Sequence, residues 1–247
     1  MGLMSKKVAI VTGGGSGIGK GIADIFSKAG CSVVITGRTK ARLEAAVQEL
    51  QKNEGPVIPI PSDVTHPEQV ASLFDQTIQK FGRLDVLVNN ASAFGGARFD
   101  LISDDMWHTI LSTGIDGTFF CSRQAFRIMK DSGGGRIINI GSVAAFRPRE
   151  HAAAYAVSKA AIASLTQCIA LDGREFGIVA SCLHPGNTRV ERRADGRPWT
   201  GRDEGPEKMI SVEEIARTVL LMATLSPETN MLETVILPVN MKYLGRG

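Results

Sequence analysis

The fold is set by the stretch KVAIVTGGGSGIGKGIADIF, residues 7–26. A short run of apolar and β-branched residues passes into a glycine-rich segment and then into a helical pattern of apolar residues. This order predicts a buried strand, a tight turn and a helix. Glycine permits positive φ angles and close approach of the main chain, and a helix N-terminus offers unpaired N–H groups. The stretch therefore predicts a site for a phosphate or pyrophosphate group.

Three glycine motifs compete for this turn. Residues 14–20 fit the GxxxxGK of a P-loop, but Gly21 follows where a magnesium-binding Ser or Thr is needed, which disfavours a nucleoside triphosphatase. The dinucleotide motif GxGxxG fails because Ile18 occupies its third glycine position. The spacing that fits is TGxxxGxG, beginning at Thr12. We therefore predict a dinucleotide whose pyrophosphate is bound by Gly13, Ser16, Gly17, Ile18 and Gly19.

The rest of the chain alternates short apolar runs with amphipathic segments, the pattern of strands and helices around a buried parallel sheet. Strands are predicted at residues 7–12, 32–36, 57–60, 84–88, 136–140, 178–183 and 233–238. Long helices are predicted at residues 104–130 and 152–176, and capping boxes at Thr65 with Glu68 and at Ser211 with Glu214. We expect residues 1–247 to form one α/β domain, a Rossmann-type doubly wound parallel sheet of about seven strands with helices on both faces.

Composition argues against several classes of protein. The 28 Lys and Arg and 25 Asp and Glu give a net charge of +3, without the run of like charges that marks a nucleic-acid or membrane partner. No apolar stretch approaches the roughly 18–20 residues that cross a bilayer, and the run VAIV is too short for a signal peptide. The four cysteines and four histidines show no metal-ligand spacing. We expect a cytoplasmic protein with buried free thiols and no metal.

The end of the second predicted strand bears on the choice of dinucleotide. The sequence ITGR places Arg38 where a carboxylate would bind the ribose 2′-hydroxyl of NAD. A guanidinium instead attracts the 2′-phosphate of NADP. We therefore predict NADP(H) in preference to NAD(H).

A second stretch, AAAYAVSKAAIASL at residues 152–165, places Tyr155 and Lys159 on one helical face. The segments TGGGSGIG, NNAS at residues 89–92, Ser142 and YAVSK together resemble the short-chain dehydrogenase/reductase superfamily, from residue 7 to about residue 238. Ser142 stands 13 residues before Tyr155, as in that family. The chain is similar to NADP-preferring, 3-oxoacyl-reductase-like members, with some features of the dienoyl- and enoyl-CoA reductase branch.

The resemblance implies hydride transfer between a nicotinamide and a small-molecule carbonyl or secondary alcohol. Tyr155 would exchange the proton, Lys159 would lower the Tyr155 pKa and hold the nicotinamide ribose, and Ser142 would hold the substrate oxygen. Further cofactor contacts are implied for Asp63 and Val64 at the adenine, Asn90 and Ala91 along the cofactor, and Pro185, Gly186 and Thr188 at the carboxamide. From the residues alone, Asp63 also fits a turn-forming role.

Two positions depart from the family pattern. Ser92 stands where the motif usually ends in glycine, and Gly114 stands where the family usually has a catalytic Asn. The surrounding segment, residues 107–120, is similar to the branch that reduces dienoyl- and enoyl-CoA thioesters, so an acyl thioester substrate is an alternative. A regulator that binds NADP without turning it over is another.

The resemblance also implies a homo-oligomer, a dimer or tetramer formed through helices 104–130 and 152–176. Residues 189–210 are rich in Gly, Pro and charge, and a loop of this length in a compact domain is usually functional. We predict that this loop selects the substrate and that Trp199 contacts it. His184, before Pro185 at a strand end, is expected to be packed or hydrogen-bonded rather than catalytic.

Overall fold

The protein is built on a parallel β-sheet. The structure, a computed structural model, describes residues 2–190 and 209–244. Its strands are β1 Val8–Thr12, β2 Ser32–Thr36, β3 Val57–Pro59, β4 Val86–Asn89, β5 Gly135–Ile140, β6 Ile178–Pro185, β7 Thr188–Arg189, β8 Ile210–Ser211 and β9 Glu233–Ile236. Seven of them form one sheet in the order β3-β2-β1-β4-β5-β6-β9, and β7 and β8 form a separate pair. The predicted fold class is confirmed.

Helices connect the strands of the main sheet. They are α1 Gly17–Lys28, α2 Lys40–Leu50, α3 Pro67–Phe81, α4 Asp104–Leu111, α5 Gly117–Asp131, α6 Ala153–Gly173 and α7 Val212–Thr224. The chain leaves β1 for β2 and β3 on one side and then returns past β1 to β4, so the strand order reverses between β1 and β4. Ligands of open α/β sheets bind at the carboxyl ends of the strands beside such a reversal.

Each face of the sheet is covered by its own apolar core. Alternate residues of a strand point to opposite faces, so Ala9 and Val11 of β1 join one core and Ile10 joins the other. The first core packs α1, α2 and α7 against the sheet, and the second packs α3, α5 and α6. Phe26 and Phe74 are among the largest fully buried side chains, and each stabilises the fold by roughly 1.5–3 kcal/mol through burial. Both cores hold the carboxyl ends of the strands in place.

One of the predicted helix features is wrong. The capping box at Thr65 is absent, because α3 begins at Pro67 after His66, and the N–H and hydroxyl of Thr65 both donate to Asp63 Oδ1. Residues 104–130 are helical throughout, as predicted, but Ser112–Asp116 form a π-helical turn between α4 and α5. At α7 the Ser211 hydroxyl accepts from the Glu214 N–H at 3.2 Å, as the second predicted box requires.

The apolar composition of α6 overturns the expectation that no apolar stretch is long enough to cross a membrane. By length and composition, one helix of the described residues, Ala153–Phe176, is apolar enough to cross a membrane. This helix nevertheless carries the buried Lys159 and packs against β6 and α4, and a core helix meets the same criteria.

The cysteines are all free, but Cys168 is exposed rather than buried as expected. Within residues 2–190 and 209–244, no group of three His, Cys, Asp or Glu side chains is placed to hold a metal ion.

Candidate functional site

The turn between β1 and α1 forms a cradle of main-chain groups at the carboxyl edge of the sheet. Gly13 and Gly17 have φ angles of +64° and +53°, which L side chains rarely adopt. A Cβ on Gly19 would collide with the Gly13 carbonyl oxygen, so the main chain crosses itself closely here. Ser16 provides no side-chain cap, and the first N–H groups of α1, including that of Ile18, remain open to an anion. The cradle fits a pyrophosphate.

Thr12 and Asn90 fasten this cradle to the end of β4. Thr12 Oγ1 accepts hydrogen bonds from the N–H groups of Asn90 at 2.9 Å and Ala91 at 3.0 Å. Asn90 Nδ2 donates to the carbonyl oxygens of Thr12 at 2.9 Å and Gly13 at 3.3 Å. The Asn90 amide therefore fixes the main chain of the cradle at Thr12 and Gly13. The importance of Thr12 was missed, although its place at the start of TGxxxGxG is a signal for it.

Arg38 and Asp63 lie at the adenosine end of the crevice. Arg38 is exposed directly after β2. Burial acts to raise the pKa of Asp63, but hydrogen bonds from Thr65 and the nearby charges of Arg38 and His66 outweigh it and lower that pKa. Asp63 therefore forms the turn before α3 and carries a negative charge beside Arg38. The geometry supports the turn-forming role and leaves adenine contact open.

Buried hydroxyl groups also lie at this end. Ser62 donates its N–H to the Gly37 carbonyl at 3.1 Å, which brings the segment after β3 beside the end of β2. Among the described residues, Thr36 Oγ1 and Ser62 Oγ are buried without hydrogen-bond partners. Such atoms retain capacity for a ligand. The Val64 side chain instead lies in the apolar core, so its main chain alone remains for the adenine contact that was predicted.

Ser142 follows β5 in an extended conformation. Its Oγ accepts a hydrogen bond from the Ala144 N–H at 3.1 Å. Since a hydroxyl has one proton and two acceptor lone pairs, the bond from Ala144 leaves the Ser142 proton unused, and the Ser142 hydroxyl also hydrogen-bonds the Tyr155 phenol. The His184 ring lies beneath, with Nδ1 3.0 Å from the Ser142 carbonyl oxygen. The sequence expectation that His184 is packed and hydrogen-bonded agrees with this position.

Tyr155 lies on α6 close to Ser142. Burial raises the pKa of Tyr155, and interaction with the Ser142 side chain acts against that rise. This direction is opposite to the lowering expected from Lys159. The ring of Phe94 packs edge-on against the Tyr155 ring, with centroids 5.0 Å apart. Phe94 was missed, and it places an aromatic wall beside the phenol.

Lys159 shares the face of α6 that carries Tyr155. Its Nζ is 5.6 Å from the centroid of the Tyr155 ring and donates to the Ile140 carbonyl oxygen at 2.8 Å. Burial lowers the pKa of Lys159 to about 8, and the charge of Cys182 acts in the opposite direction. A lysine with this pKa is mostly protonated at neutral pH. The site therefore holds a buried cation below the phenol.

The turn after β6 closes the other side of the crevice. Gly186 donates its N–H to the Ile236 carbonyl at 2.8 Å, and Thr188 Oγ1 donates to the Gly186 carbonyl at 3.0 Å. Arg149, between β5 and α6, donates to Asn187 Oδ1 at 3.1 Å. Pro185, Gly186 and Thr188 therefore lie on a turn tied to both β9 and the segment after Ser142.

Gly114 packs directly on α6. A Cβ at this position would collide with Ser158 Oγ and lie 3.3 Å from Ser158 Cβ. Ser158 Oγ itself is buried without a hydrogen-bond partner in the described part of the chain. A side chain at position 114 therefore requires Ser158 to move. Ser92, the other departure, is exposed. Trp199 and residues 191–208 of the predicted substrate loop lie outside the described residues.

Comparison with known sequences identifies a family and several relatives similar to this chain. The family model for short chain dehydrogenase matches residues 7–201. A 3beta-hydroxysteroid dehydrogenase of Mediterraneibacter gnavus is 36% identical over 189 residues, which cover 76% of this chain and 68% of that protein. An uncharacterized oxidoreductase of Staphylococcus saprophyticus is 30% identical over 237 residues, which cover 96% of this chain and 99% of that protein.

Solved structures agree with these sequence matches. A short-chain type dehydrogenase/reductase from Mycobacterium ulcerans superposes with a TM-score of 0.88 at 27% identity, covering 95% of this chain and 90% of that chain. A short chain dehydrogenase from Bacillus anthracis superposes with a TM-score of 0.84 at 31% identity, covering 95% of this chain and 96% of that chain.

Proposed function

The chain belongs to the short-chain dehydrogenase/reductase family of oxidoreductases, and on that premise we propose that it transfers hydride between NADP(H) and a carbonyl or secondary-alcohol carbon. One observation carries the proposal: Ser142, Tyr155 and Lys159 meet at the carboxyl end of β5, beside the crevice that begins at the glycine cradle. A bound nicotinamide dinucleotide supplies or accepts the hydride.

Tyr155 moves the proton in this proposal. During reduction its phenol gives a proton to the carbonyl oxygen as that oxygen becomes an alkoxide. The phenol must be protonated for this role, and the raised pKa of Tyr155 keeps it so at neutral pH. During oxidation the phenolate takes the proton back from the alcohol. The protonated Lys159 nearby stabilises that anion electrostatically.

In this mechanism Ser142 orients the substrate oxygen and Lys159 stabilises the phenolate of Tyr155. The Ser142 hydroxyl accepts from Ala144 through a lone pair, so its proton can turn from the Tyr155 phenol to the substrate oxygen when substrate binds. Lys159 holds a positive charge in a buried position, 3% exposed, where charge interactions are screened less than in water. The Ile140 carbonyl fixes its ammonium group.

Arg38 supports NADP(H) as the dinucleotide. Its guanidinium is exposed after β2, where a 2′-phosphate on the adenosine ribose would lie, and phosphate is bound strongly by arginine. A carboxylate at this position would repel that phosphate. The residues proposed to hold the dinucleotide are Gly13, Ser16, Gly17, Ile18, Gly19, Arg38, Asp63, Val64, Asn90, Ala91, Tyr155, Lys159, Pro185, Gly186 and Thr188.

We also propose that residues 1–247 form one domain that assembles as a homo-oligomer. Both apolar cores use the same sheet, which supports one domain. The helices α5 and α6 and the turn after α6 expose the apolar side chains of Phe119, Val157, Leu171 and Phe176, which a second chain could cover. Light scattering after gel filtration should give a mass of two or four chains, and a monomer at micromolar concentration contradicts the assembly.

A substrate panel tests the function. NADPH or NADH is mixed with ethyl acetoacetate, phenanthrenequinone, acetoacetyl-CoA, crotonyl-CoA or a 3-oxosteroid, and oxidation is followed by absorbance. The steroid is included because one relative is named for acting on a 3β-hydroxysteroid. We expect turnover of a carbonyl compound with NADPH preferred. Binding of NADPH without turnover of any compound would instead support the regulator.

Gly114 supports a second candidate, reduction of an enoyl or dienoyl thioester. This position lacks the Asn that the carbonyl-reducing members usually have, and a larger side chain there would require the Ser158 hydroxyl to move. Ser142 and Tyr155 favour the carbonyl reaction. Faster turnover of crotonyl-CoA than of every carbonyl compound in the panel would reverse this order.

A further inference from the structure

His184 is buried at the end of β6, against the residue proposed to hold the substrate oxygen. Its side chain is 0% exposed. Nδ1 lies 3.0 Å from the Ser142 carbonyl oxygen and 3.3 Å from the Ser142 amide nitrogen, and Nε2 lies 3.1 Å from Glu233 Oε1. Glu233, His184 and Ser142 therefore form a continuous series of contacts across β9, β6 and the end of β5.

The imidazole can bind the main chain of Ser142 in either protonation state. With one proton, placed on Nε2 by the Glu233 carboxylate, the ring donates to Glu233 and Nδ1 accepts from the Ser142 N–H. With two protons, it donates to both Glu233 and the Ser142 carbonyl oxygen. One ring nitrogen, Nδ1, therefore lies within reach of both main-chain polar groups of Ser142 and bonds one of them in either protonation state.

Neighbouring residues leave the ring little freedom. A Cβ on Gly141 would lie 2.6 Å from His184 Nδ1 and 2.7 Å from Cε1, so the imidazole fits because position 141 carries no side chain. The Phe146 ring packs on the imidazole, with centroids 4.7 Å apart. Gly141 and Phe146 flank Ser142 in sequence, so the ring is packed against the same segment that it binds.

We propose that His184, held by Glu233, is a positioning residue that fixes the main chain of Ser142 and so aims its hydroxyl at the substrate oxygen. This inference rests on the proposed function, in which Ser142 binds that oxygen. A displacement of about 1 Å in a catalytic group can reduce turnover by roughly a hundredfold. Loss of the imidazole should therefore lower kcat, while NADPH affinity, which depends on the glycine cradle, stays unchanged.

A double-mutant cycle tests the inference with the carbonyl compound of the panel that the wild-type protein reduces fastest. We expect Ser142→Ala to lower kcat on the order of a hundredfold and His184→Gln to lower it roughly 10- to 100-fold. In the Ser142→Ala background, His184→Gln should lower kcat by less than about a further threefold, because the hydroxyl that His184 positions is gone. His184→Asn, whose amide reaches the place of Nδ1, should retain more activity than His184→Gln.

His66→Gln is the matched control, because His66 also contacts a carboxylate, Glu68 at 3.3 Å, but on the surface. It should leave kcat unchanged. Equal losses from His184→Gln in both backgrounds would overturn the inference, as would a joint fall in kcat, NADPH affinity and melting temperature, which indicates damage to the fold. If Ser142→Ala leaves kcat unchanged, the proposed role of Ser142 fails instead.

Discussion

The cofactor side and the substrate side of the crevice are built in different ways. On the cofactor side, main-chain groups from residues 12–19 form the cradle, and their positions follow from local glycine conformations. On the substrate side, side chains form the site. Ser142 contacts His184, which is 42 residues later in the sequence, and His184 contacts Glu233, which is a further 49 residues on. Because the cradle depends on main-chain conformation and the substrate side on side-chain groups, single substitutions should damage mainly one side.

The largest effect should come from Tyr155→Phe, which removes the phenolic hydroxyl from the substrate side and keeps the ring beside the cofactor. Without the phenolic proton, kcat should fall on the order of 10³-fold, the middle of the range for acid–base catalysis. NADPH affinity, measured by fluorescence titration, should change less than about twofold, because the ring is kept. Tyr243→Phe, at the other of the two tyrosines, is the control and should leave kcat unchanged. Turnover that survives Tyr155→Phe contradicts the proposed mechanism.

Gly19→Ala should break the cofactor side with the next largest effect. The new Cβ would collide with the Gly13 carbonyl oxygen, and relief of a clash of this kind costs about 1–3 kcal/mol. At the upper end, NADPH affinity falls roughly a hundredfold. Gly82→Ala is the control, because its φ of +73° is unfavourable for an L side chain but nothing lies within 4 Å of the new Cβ. Gly82→Ala should lower the free energy of unfolding without weakening NADPH binding. Equal weakening of NADPH binding by Gly19→Ala and Gly82→Ala contradicts the assignment of the cradle.

This contrast explains which parts of the site can be predicted from sequence. The strand, the glycine turn and the helix start in residues 7–26 depend on neighbours along the chain, and their order predicts both the fold and the cradle. Tyr155 and Lys159 are also predictable, because a spacing of four residues places them on one helical face. Sequence alone does not predict that Glu233 reaches His184, because that contact requires the pairing of β6 with β9.

The failed expectations have the same cause. The π-helical turn between α4 and α5 includes Gly114, which meets Ser158 on a different helix, and helical periodicity carries no information on that contact. The expected lowering of the Tyr155 pKa drew on the four-residue spacing to Lys159 and on an oxidised nicotinamide beside the phenol, whereas among the protein's own groups burial has the largest effect and raises that pKa. Local patterns thus locate the catalytic groups, whereas their electrostatic environment depends on tertiary packing.

Arg38→Asp tests the selectivity of the cofactor side. Replacing a charge-assisted hydrogen bond to phosphate should weaken NADPH by about 2 kcal/mol, or roughly thirtyfold. NADH should bind more tightly, because the carboxylate can accept from the ribose hydroxyl. Lys40→Asp makes the same change of charge two residues later and should shift both affinities less. Equal weakening of NADPH and NADH by Arg38→Asp contradicts the assignment of Arg38 to the 2′-phosphate.

The pH dependence should differ between kcat for reduction, which depends on the substrate side, and NADPH affinity, which depends on the cofactor side. Lys159, with a pKa of about 8, is protonated below that pH and neutral above it. If the cation is needed to stabilise the phenolate, kcat should fall about tenfold between pH 7 and pH 9 as the protonated fraction falls. Residues 12–19 contain no titratable side chain, so NADPH affinity should change less than kcat. A kcat that is constant over this range contradicts the role of Lys159.

Ser158→Ala should have the smallest effect, on stability alone. Its hydroxyl is buried, 1% exposed, without a partner in the described part of the chain. Removing it breaks no hydrogen bond, so the free energy of unfolding should stay constant or rise by up to about 1 kcal/mol. Ser122 is the matched control, because it is also buried but accepts from Asn89 Nδ2 at 2.9 Å. Ser122→Ala should lower the free energy of unfolding by about 1 kcal/mol in urea.

The same substitution should also make room at position 114. Gly114→Ala alone forces a Cβ against Ser158 Oγ and should destabilise the fold by about 1–3 kcal/mol. When Ser158 is alanine, the nearest remaining atom is its Cβ at 3.3 Å, so Gly114→Ala should then cost less than half as much. Urea unfolding of the two single variants and the double variant measures this coupling. If the two changes are additive, Gly114 is not required by Ser158, and the π-helical turn between α4 and α5 has another cause.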